Sequence, residues 1–186
     1  KDLEICICLI QGWTSLKGIH GLKNGLLLMY QLTEKYWDNI WPRYDSSEPE
    51  LRVSPYKWLA TKGPDFFGKK IILLPKNETR EKCFTYLDYL VLKNTSNDKV
   101  RQDAVRKPQL SSNKIKNLSF TNNDNSFLID LEKTTIASEK IVKKLDTFLE
   151  NRLGNDSVSF AEFGMFLADI KSFTHVLLSK KEEIEE

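Results

Sequence analysis

The sequence predicts an all-α fold built from helical hairpins that pack as two lobes. Apolar residues recur at helical spacing in two pairs of long stretches, glycine-rich turns separate the members of each pair, and only one short run resembles a strand. The chain has 186 residues with 40% apolar content, enough to bury one good core. We predict a helical lobe at 1–93, a polar linker with short helices at 94–126, and a C-terminal helical hairpin of the same module at 127–186.

The first hairpin is predicted from residues 2–16 and a second helix that follows a glycine-rich turn. Gly18 and Gly21 predict a helix stop and a tight turn, so the two helices should lie antiparallel. The apolar stripe of the first helix is wide, which predicts burial over most of its circumference. Its members are Leu3, Ile7, Ile10 and Trp13, widened by Ile5, Leu9 and Leu16. Gly25 predicts a close backbone approach within the second helix, and Pro42 is predicted to end that helix.

The segment "EKYWDNIWPR", residues 34–43, allows two interpretations: a ligand cradle or a packed corner. On a continuous helix, Tyr30, Trp37 and Trp41 share one face and form an aromatic ridge. Such ridges usually pack against another helix, so we favour the corner. Asp38 and Asp45 are the nearest approach to a pair of catalytic carboxylates, but nothing in the sequence fixes their separation.

Three short elements are predicted next. Ser54 and Pro55 fit the cap and first turn of a short helix. Residues 71–74 are the best strand candidate, with a minor β-hairpin expected near 71–84 through pairing close to Cys83. Thr85 followed by Asp88 resembles a capping box at the start of another helix.

The second hairpin is predicted from two amphipathic helices. The first covers residues 127–153 and is stopped by Gly154, and a capping box of Ser159 and Glu162 opens the second. The apolar stripe of this last helix is Phe163, Phe166, Leu167, Ile170, Phe173 and Leu177.

No pattern of catalytic, cofactor-binding or metal-ligating residues emerges from the sequence, so we predict none of the three. The two histidines and three cysteines lack the spacing of a metal site, and no phosphate-binding glycine loop or nucleophile elbow is present. No apolar run is long enough to span a membrane. The formal net charge is only +2, but residues 62–116 carry 13 basic and 6 acidic residues. This segment supports an alternative function, a helical nucleic-acid-binding adaptor.

The segments "KDLEICICLIQGW", "GLKNGLLLMYQL" and "YWDNIWPR", taken together, resemble the N-terminal domain of the TssA/ImpA proteins of bacterial type VI secretion. The downstream segments "PELRVSPYKWL" and "CFTYLDYLVL" are similar to later parts of that family pattern. The family-motif positions are Asp2, Leu3, Gly21, Leu22, Gly25, Leu26, Tyr36, Trp37, Asp38, Pro42, Arg52, Leu59, Asp88 and Tyr89. Glu4, where the family usually has Arg, and the Ser54–Pro55 pair depart from the pattern.

The resemblance implies a non-enzymatic assembly and docking domain without a cofactor. Its expected partners are sheath, baseplate or inner-tube proteins of the secretion apparatus, with no nucleic acid, and its expected location is the bacterial cytoplasm at that apparatus. It also implies that oligomerisation is supplied by a separate C-terminal domain, and that the chain is a piece of a longer protein that lacks the first helices of the domain. We expect Arg52 to pair with Asp2, Asp38 or Asp88.

Overall fold

The computed structural model describes residues 1–76, 82–95 and 122–185. The elements along the described chain are α1 (Leu3–Tyr36), α2 (Pro49–Thr61), α3 (Gly63–Gly68), β1 (Ile72–Leu74), β2 (Phe84–Thr85), α4 (Tyr86–Thr95), α5 (Asn122–Leu153), a short 3-10 turn (Gly154–Asp156) and α6 (Ala161–Glu185). The predicted all-α class with a minor β-hairpin is confirmed. Residues 96–121, which hold most of the predicted linker, lie outside the described part.

Helix α1 is an antiparallel hairpin whose two arms meet at Gly18. This glycine adopts φ 55° and ψ −132°, a left-handed conformation that other residues rarely tolerate, and it breaks the helix into residues 3–17 and 19–36. The two arms approach each other closely at two glycines, which have no side chain to keep them apart. A Cβ on Gly21 would lie 1.9 Å from the carbonyl oxygen of Trp13, and one on Gly25 would lie 2.7 Å from a side-chain carbon of Ile10. The predicted turn and close approach are confirmed.

The first arm of α1 is buried on one side only, so the prediction of burial around most of its circumference is wrong. Leu3, Ile7 and Ile10 lie in the core, whereas Ile5, Leu9 and Leu16 are 61%, 40% and 82% exposed. Helical spacing shows which residues are apolar and which share a face, but it does not show how many faces have a neighbour. Within the described residues, the core covers only the inner face of this arm.

Helix α2 begins earlier than the sequence suggested. Pro49 occupies its first turn, and Pro55, predicted to open the helix, lies inside it and is buried. The start at Pro49 is favourable because proline presets the helical φ angle and the first turn needs no N–H donor. Pro55 has no N–H to donate to the carbonyl group of Leu51, so α2 lacks one bond of its ladder.

The β-hairpin is small and supports the start of α4. Strands β1 and β2 pair antiparallel, with Ile72 opposite Thr85 and Leu74 opposite Phe84. The predicted capping box is confirmed, because the Asp88 carboxylate accepts from both the backbone N–H and the hydroxyl of Thr85, at 2.8 and 2.7 Å. The Thr85 hydroxyl also accepts from the N–H of Asp88 at 3.4 Å.

Helices α5 and α6 form the second hairpin, as predicted. Gly154 adopts φ 55° after the last residue of α5, and the hydroxyl of Ser159 accepts from the N–H of Ala161 at the start of α6. All six predicted stripe residues of α6 are buried, and α5 packs against both α1 and α6. The buried apolar residues of the two hairpins form one connected cluster. The division of the chain at residues 93 and 126 stays a prediction.

Candidate docking corner

A buried arginine anchors the corner between α1 and α2. The guanidinium of Arg52 has no exposed surface and donates to three backbone carbonyl groups. The acceptors are Trp37 at 2.8 Å, Ile40 at 2.9 Å and Pro42. The Trp37 carbonyl belongs to the C-cap residue of α1, where a helix leaves acceptors without intrahelical donors, and the other two carbonyl groups belong to the segment that follows. Arg52 therefore caps α1 from the neighbouring helix.

The electrostatics of this corner explain how it tolerates a buried cation. Burial lowers the pKa of Arg52 from its ordinary value, and the nearby Asp38 charge acts in the opposite direction. The carboxyl end of a helix carries a partial negative charge, which stabilises a cation placed against it. The guanidinium also lies 4.8 Å from the ring of Trp37, close enough for a cation–π interaction.

The predicted ion pair of Arg52 with Asp2, Asp38 or Asp88 is wrong. Within the described residues, Arg52 makes no ion pair within 4.0 Å. Asp2 instead caps the start of α1 by accepting from the N–H groups of Glu4 and Ile5. Asp88 caps α4, and Asp38 is exposed in the turn after α1. Backbone carbonyl groups compete with carboxylates for the guanidinium, and three of them accept from it here.

The two tryptophans of the corner have opposite environments. Trp37 is buried, with its ring centroid 5.5 Å from that of Phe148 on α5. Trp41 is 55% exposed. The predicted ridge through Tyr30, Trp37 and Trp41 is wrong because α1 ends at Tyr36, and the following turn takes Trp41 off the face that Trp37 shares with the core. Pro42 lies beyond that end instead of setting it.

The same corner fixes the start of the chain. The N–H of Leu3 donates to the carbonyl of Trp41 at 2.8 Å, and the N–H of Trp41 donates to the carbonyl of Lys1 at 3.0 Å. The Lys1 ammonium lies 3.5 Å from the ring centroid of Tyr36. The backbone of Trp41 is therefore held in place from both sides while its ring faces outward.

The exposed part of this corner is an aromatic and cationic surface, which we call the corner surface and define as Trp41, Arg43 and Tyr44. The guanidinium of Arg43 lies 5.2 Å from the Trp41 ring, and Tyr44 is 38% exposed. Trp, Tyr and Arg are the residue types that most often dominate the energy of protein–protein binding. The surface is rigid at its base because Arg52 and the bonds to Lys1 and Leu3 hold the backbone beneath it.

The other family-motif residues have structural tasks. Gly21 and Gly25 join the arms of α1, and Tyr89 packs edge-on against Phe173 at 5.4 Å. Four leucines of the motif have no exposed surface: Leu3, Leu22, Leu26 and Leu59. These contacts connect the motif to the core, and the importance of each position to the family stays a prediction.

The described residues bring together no catalytic arrangement. Asp45 accepts from the N–H and the hydroxyl of Ser47, and these bonds lower the pKa of its carboxyl group. Its carboxylate therefore stabilises the local turn. No group of three or more His, Cys, Asp or Glu residues in the described ranges could hold a metal ion. His20 lies at the surface, with one ring nitrogen 2.7 Å from the Asp130 carboxylate. No helix within the described ranges is both long and apolar enough to cross a membrane.

The described residues also form two open grooves, one beside α1 and one beside α2. One of about 420 Å³ runs between α1 and α5 beside Tyr30, Lys144 and Phe148. The other, of about 560 Å³, lies between α2 and the loop that precedes α6, beside Val53 and Val158. Ser157 also lines the second groove, and its buried hydroxyl has no hydrogen-bond partner within the described residues.

Several interactions were missed from the sequence. The Tyr56 hydroxyl lies 2.9 Å from that of Thr33 in the core. The Asp169 carboxylate joins α6 to α4 by accepting from the Tyr86 hydroxyl at 3.1 Å and from the Lys93 ammonium at 2.7 Å. Each links residues more than twenty positions apart, so local patterns carry no signal for it.

The geometry thus defines a helical-hairpin domain with a rigid exposed corner. Comparison with known proteins shows what this chain is similar to. A family model described as ImpA, N-terminal, type VI secretion system matches residues 1–61. The type VI secretion system component TssA1 of Pseudomonas aeruginosa is 37% identical over 57 residues, which are 29% of this chain and 17% of that protein. The front of the chain is therefore similar to the ImpA N-terminal family, and the resemblance seen in the sequence is confirmed.

A solved structure extends the fold match over nearly the whole chain. It is the N-terminal domain, including the ImpA_N region, of the TssA component of the type VI secretion system from Burkholderia cenocepacia. The match covers 97% of this chain and 72% of that chain, with a TM-score of 0.78 and 19% identity. At this identity the match shows a shared fold, which includes the second hairpin that the family model does not reach.

Proposed function

We propose that this chain is a non-enzymatic docking domain of a type VI secretion component, and that the corner surface is its main contact site. The observation that carries the proposal is that the family match, residues 1–61, contains the entire Arg52-anchored corner. The fold match to a TssA N-terminal domain supports the same function.

The composition of the corner surface fits a contact site for a folded protein. A large ring on a fixed backbone loses little conformational freedom on binding, so most of its burial energy is available to the complex. All four tryptophans lie in the described residues, and Trp41 is the one whose side chain is exposed. Its neighbour Arg43 adds a cation that can pair with a carboxylate on the partner.

The partners we propose are the sheath, baseplate or inner-tube proteins of the secretion apparatus. The domain would act at that apparatus in the bacterial cytoplasm, and a separate C-terminal domain of the longer protein would supply ring-forming oligomerisation. Support for this comes from the names of the relatives, which are type VI secretion components.

The test is a pull-down of purified sheath, baseplate and inner-tube proteins by the immobilised chain. We expect one of the three classes to be retained, and Trp41→Ala to reduce its retention. Met165→Ala is the matched control, because Met165 is 62% exposed on α6. Retention of none of the three would contradict the proposal. A salt-dependent shift of generic nucleic acid at ~50 mM salt would favour the adaptor function instead.

A further inference from the structure

The groove between α2 and the loop that precedes α6 is the larger of the two grooves described above, at about 560 Å³. Its walls come from one side of α2 and from the segment between Asn155 and Glu162. Lys1, Arg52 and the corner surface all lie outside its lining, so the groove is a separate feature from the docking corner. A volume of this size falls within the ~300 to 1,000 Å³ typical of binding sites in proteins.

The floor of the groove is apolar. The side chain of Val53 is 6% exposed and belongs to the core, and Val158 packs against that core while staying partly exposed. Pro49 and Ala161 add to the apolar lining. An apolar lining with a few polar groups is the usual composition of a site that binds another molecule.

The groove carries more negative than positive charge. Three carboxylates line it, those of Glu50, Asp156 and Glu162, against the single ammonium of Lys57. The Lys57 ammonium already lies 3.9 Å from the Glu50 carboxylate. Asp156 and Glu162 are exposed and make no ion pair within 4.0 Å among the described residues. These two carboxylates are therefore available to positive charge from outside, although the whole chain has a formal net charge of +2.

The groove also contains a hydroxyl group that lacks a partner. Ser157 lines the groove, and its hydroxyl oxygen is buried without a hydrogen bond to any described residue. Buried polar groups in folded proteins are nearly always paired, so an unpaired one needs an explanation. A serine hydroxyl can donate and accept, and it reorients by rotation about a single bond. It can therefore accept from a donor group that enters the groove.

We propose that this groove binds an arginine-bearing segment of a partner protein. We call it the acidic groove and define it by the residues that make the contact: Val53, Asp156, Ser157, Val158 and Glu162. The arginine guanidinium pairs with the two carboxylates and donates to the Ser157 hydroxyl, while an apolar side chain beside the arginine lies on the two valines. Arginine suits this site better than lysine, because its five donors are fixed in one plane and can meet a carboxylate and a hydroxyl together.

The contact should be weak and sensitive to salt. Asp156 and Glu162 are exposed, so dissolved salt screens their attraction for a cation. A short segment in this groove buries less than the ~1,200 Å² of total area typical of stable complexes, and we expect a dissociation constant on the order of 10⁻⁴ M. This inference concerns a different surface from the corner surface and does not rest on the proposed function.

The first test is fluorescence anisotropy of a labelled peptide of alternating arginine and valine, titrated with the full 186-residue chain to ~1 mM. We expect saturable binding that the double variant Asp156→Asn, Glu162→Gln weakens at least about tenfold, as for the loss of charge-assisted contacts. The double variant Glu4→Gln, Asp65→Asn is the matched control. It removes two exposed carboxylates outside the groove, so it changes the net charge equally and should leave the affinity unchanged.

The second test concerns the unpaired hydroxyl. Ser157→Ala should raise the melting temperature, because it removes a buried polar group that has no partner in the chain alone. The same change should weaken peptide binding about fivefold, as for the loss of one hydrogen bond. A variant that is more stable and yet binds more weakly is a result that a purely structural role of Ser157 does not give.

The third test locates the peptide and compares its side chains. The methyl resonances of Val53 and Val158 should shift as the peptide is added, whereas those of Val176, exposed elsewhere on α6, should stay in place. A peptide with glutamate in place of arginine should not bind, and one with lysine should bind more weakly than the arginine peptide.

Several outcomes would overturn the proposal. Absence of binding at ~1 mM would do so, as would equal weakening by the groove variant and the control variant. Unchanged binding by Ser157→Ala would remove the hydroxyl from the site, and equal affinity for the lysine peptide would remove the preference for arginine. Sedimentation velocity of the chain alone should show no association through this groove. Self-association that the Asp156→Asn, Glu162→Gln variant abolishes would make a second copy the occupant.

Discussion

Replacement of Arg52 by methionine should cost about 3 to 5 kcal/mol of unfolding free energy, the range for breaking a buried charge interaction by removing one partner. The change removes three donors from the carbonyl groups of Trp37, Ile40 and Pro42. Each buried acceptor left without a donor costs about 1 to 3 kcal/mol. Removing the guanidinium also removes the cost of burying its charge, which acts in the opposite direction. The net loss of unfolding free energy should therefore be smaller than the summed cost of three unpaired carbonyl groups.

The assay is urea unfolding followed by far-ultraviolet circular dichroism, with the free energy extrapolated to water. Arg43→Met is the matched control, since Arg43 lies in the same corner but at the surface, and it should change stability by no more than about 0.5 kcal/mol. Arg52→Lys should recover only part of the loss, because a lysine ammonium lacks the planar fork that meets three acceptors at once. A loss below about 1 kcal/mol for Arg52→Met at unchanged m would refute the capping argument.

Three further predictions follow from the core and the first hairpin. Trp37→Ala should cost about 3 to 5 kcal/mol in urea unfolding and Trp41→Ala no more than about 1 kcal/mol, and equal losses would mean that their environments are misassigned. Gly21→Ala should lower the melting temperature sharply, because its Cβ would lie 1.9 Å from a backbone oxygen. Gly12→Ala should raise the melting temperature, because a Cβ there meets nothing within 4 Å and alanine favours the helix. An unchanged melting temperature for Gly21→Ala would contradict the close approach of the arms. Burial raises the pKa of the Cys6 thiol from 9.0 to about 12. Above pH ~9 the unfolded chain therefore releases a proton that the folded chain keeps. Because of this group, the free energy of unfolding should fall by up to about 1.4 kcal/mol for each pH unit. Cys6→Ala should flatten that decline between pH ~9 and ~11 in urea titrations, and an unchanged slope would show that the thiol is not responsible.

The features that the sequence predicted well depend on neighbouring residues. The capping box of Thr85 and Asp88 involves positions three apart, and the stops at Gly18 and Gly154 depend on one residue that accepts a positive φ. The stripe of α6 is correct because one helix face packs on one core.

The features that were wrong depend on distant parts of the chain. Arg52 was expected to seek a carboxylate, and its acceptors are carbonyl groups that converge only once α1 has ended and α2 has packed beside it. Trp41 was assigned to a continuous helix, but α1 ends at Tyr36. The exposure of Leu16 was missed because periodicity marks an apolar face without showing what covers it.

The candidate site was predicted in part. The sequence correctly identified "EKYWDNIWPR" as a corner, and it named Trp37 and Arg52 among the family-motif positions. It did not identify the exposed surface of that corner, because Trp37 and Trp41 look equivalent until the end of the helix is known.

The most direct test of the docking account is the affinity of the purified chain for sheath, baseplate and inner-tube proteins, measured by biolayer interferometry. The account predicts saturable binding to at least one of them, weakened about tenfold or more by Trp41→Ala, as for an aromatic hot spot. Met165→Ala should bind like the unaltered chain, with unchanged melting temperatures for both variants. Binding that Trp41→Ala leaves intact would contradict the assignment of the corner surface, and absence of binding to all three classes would contradict the docking function itself.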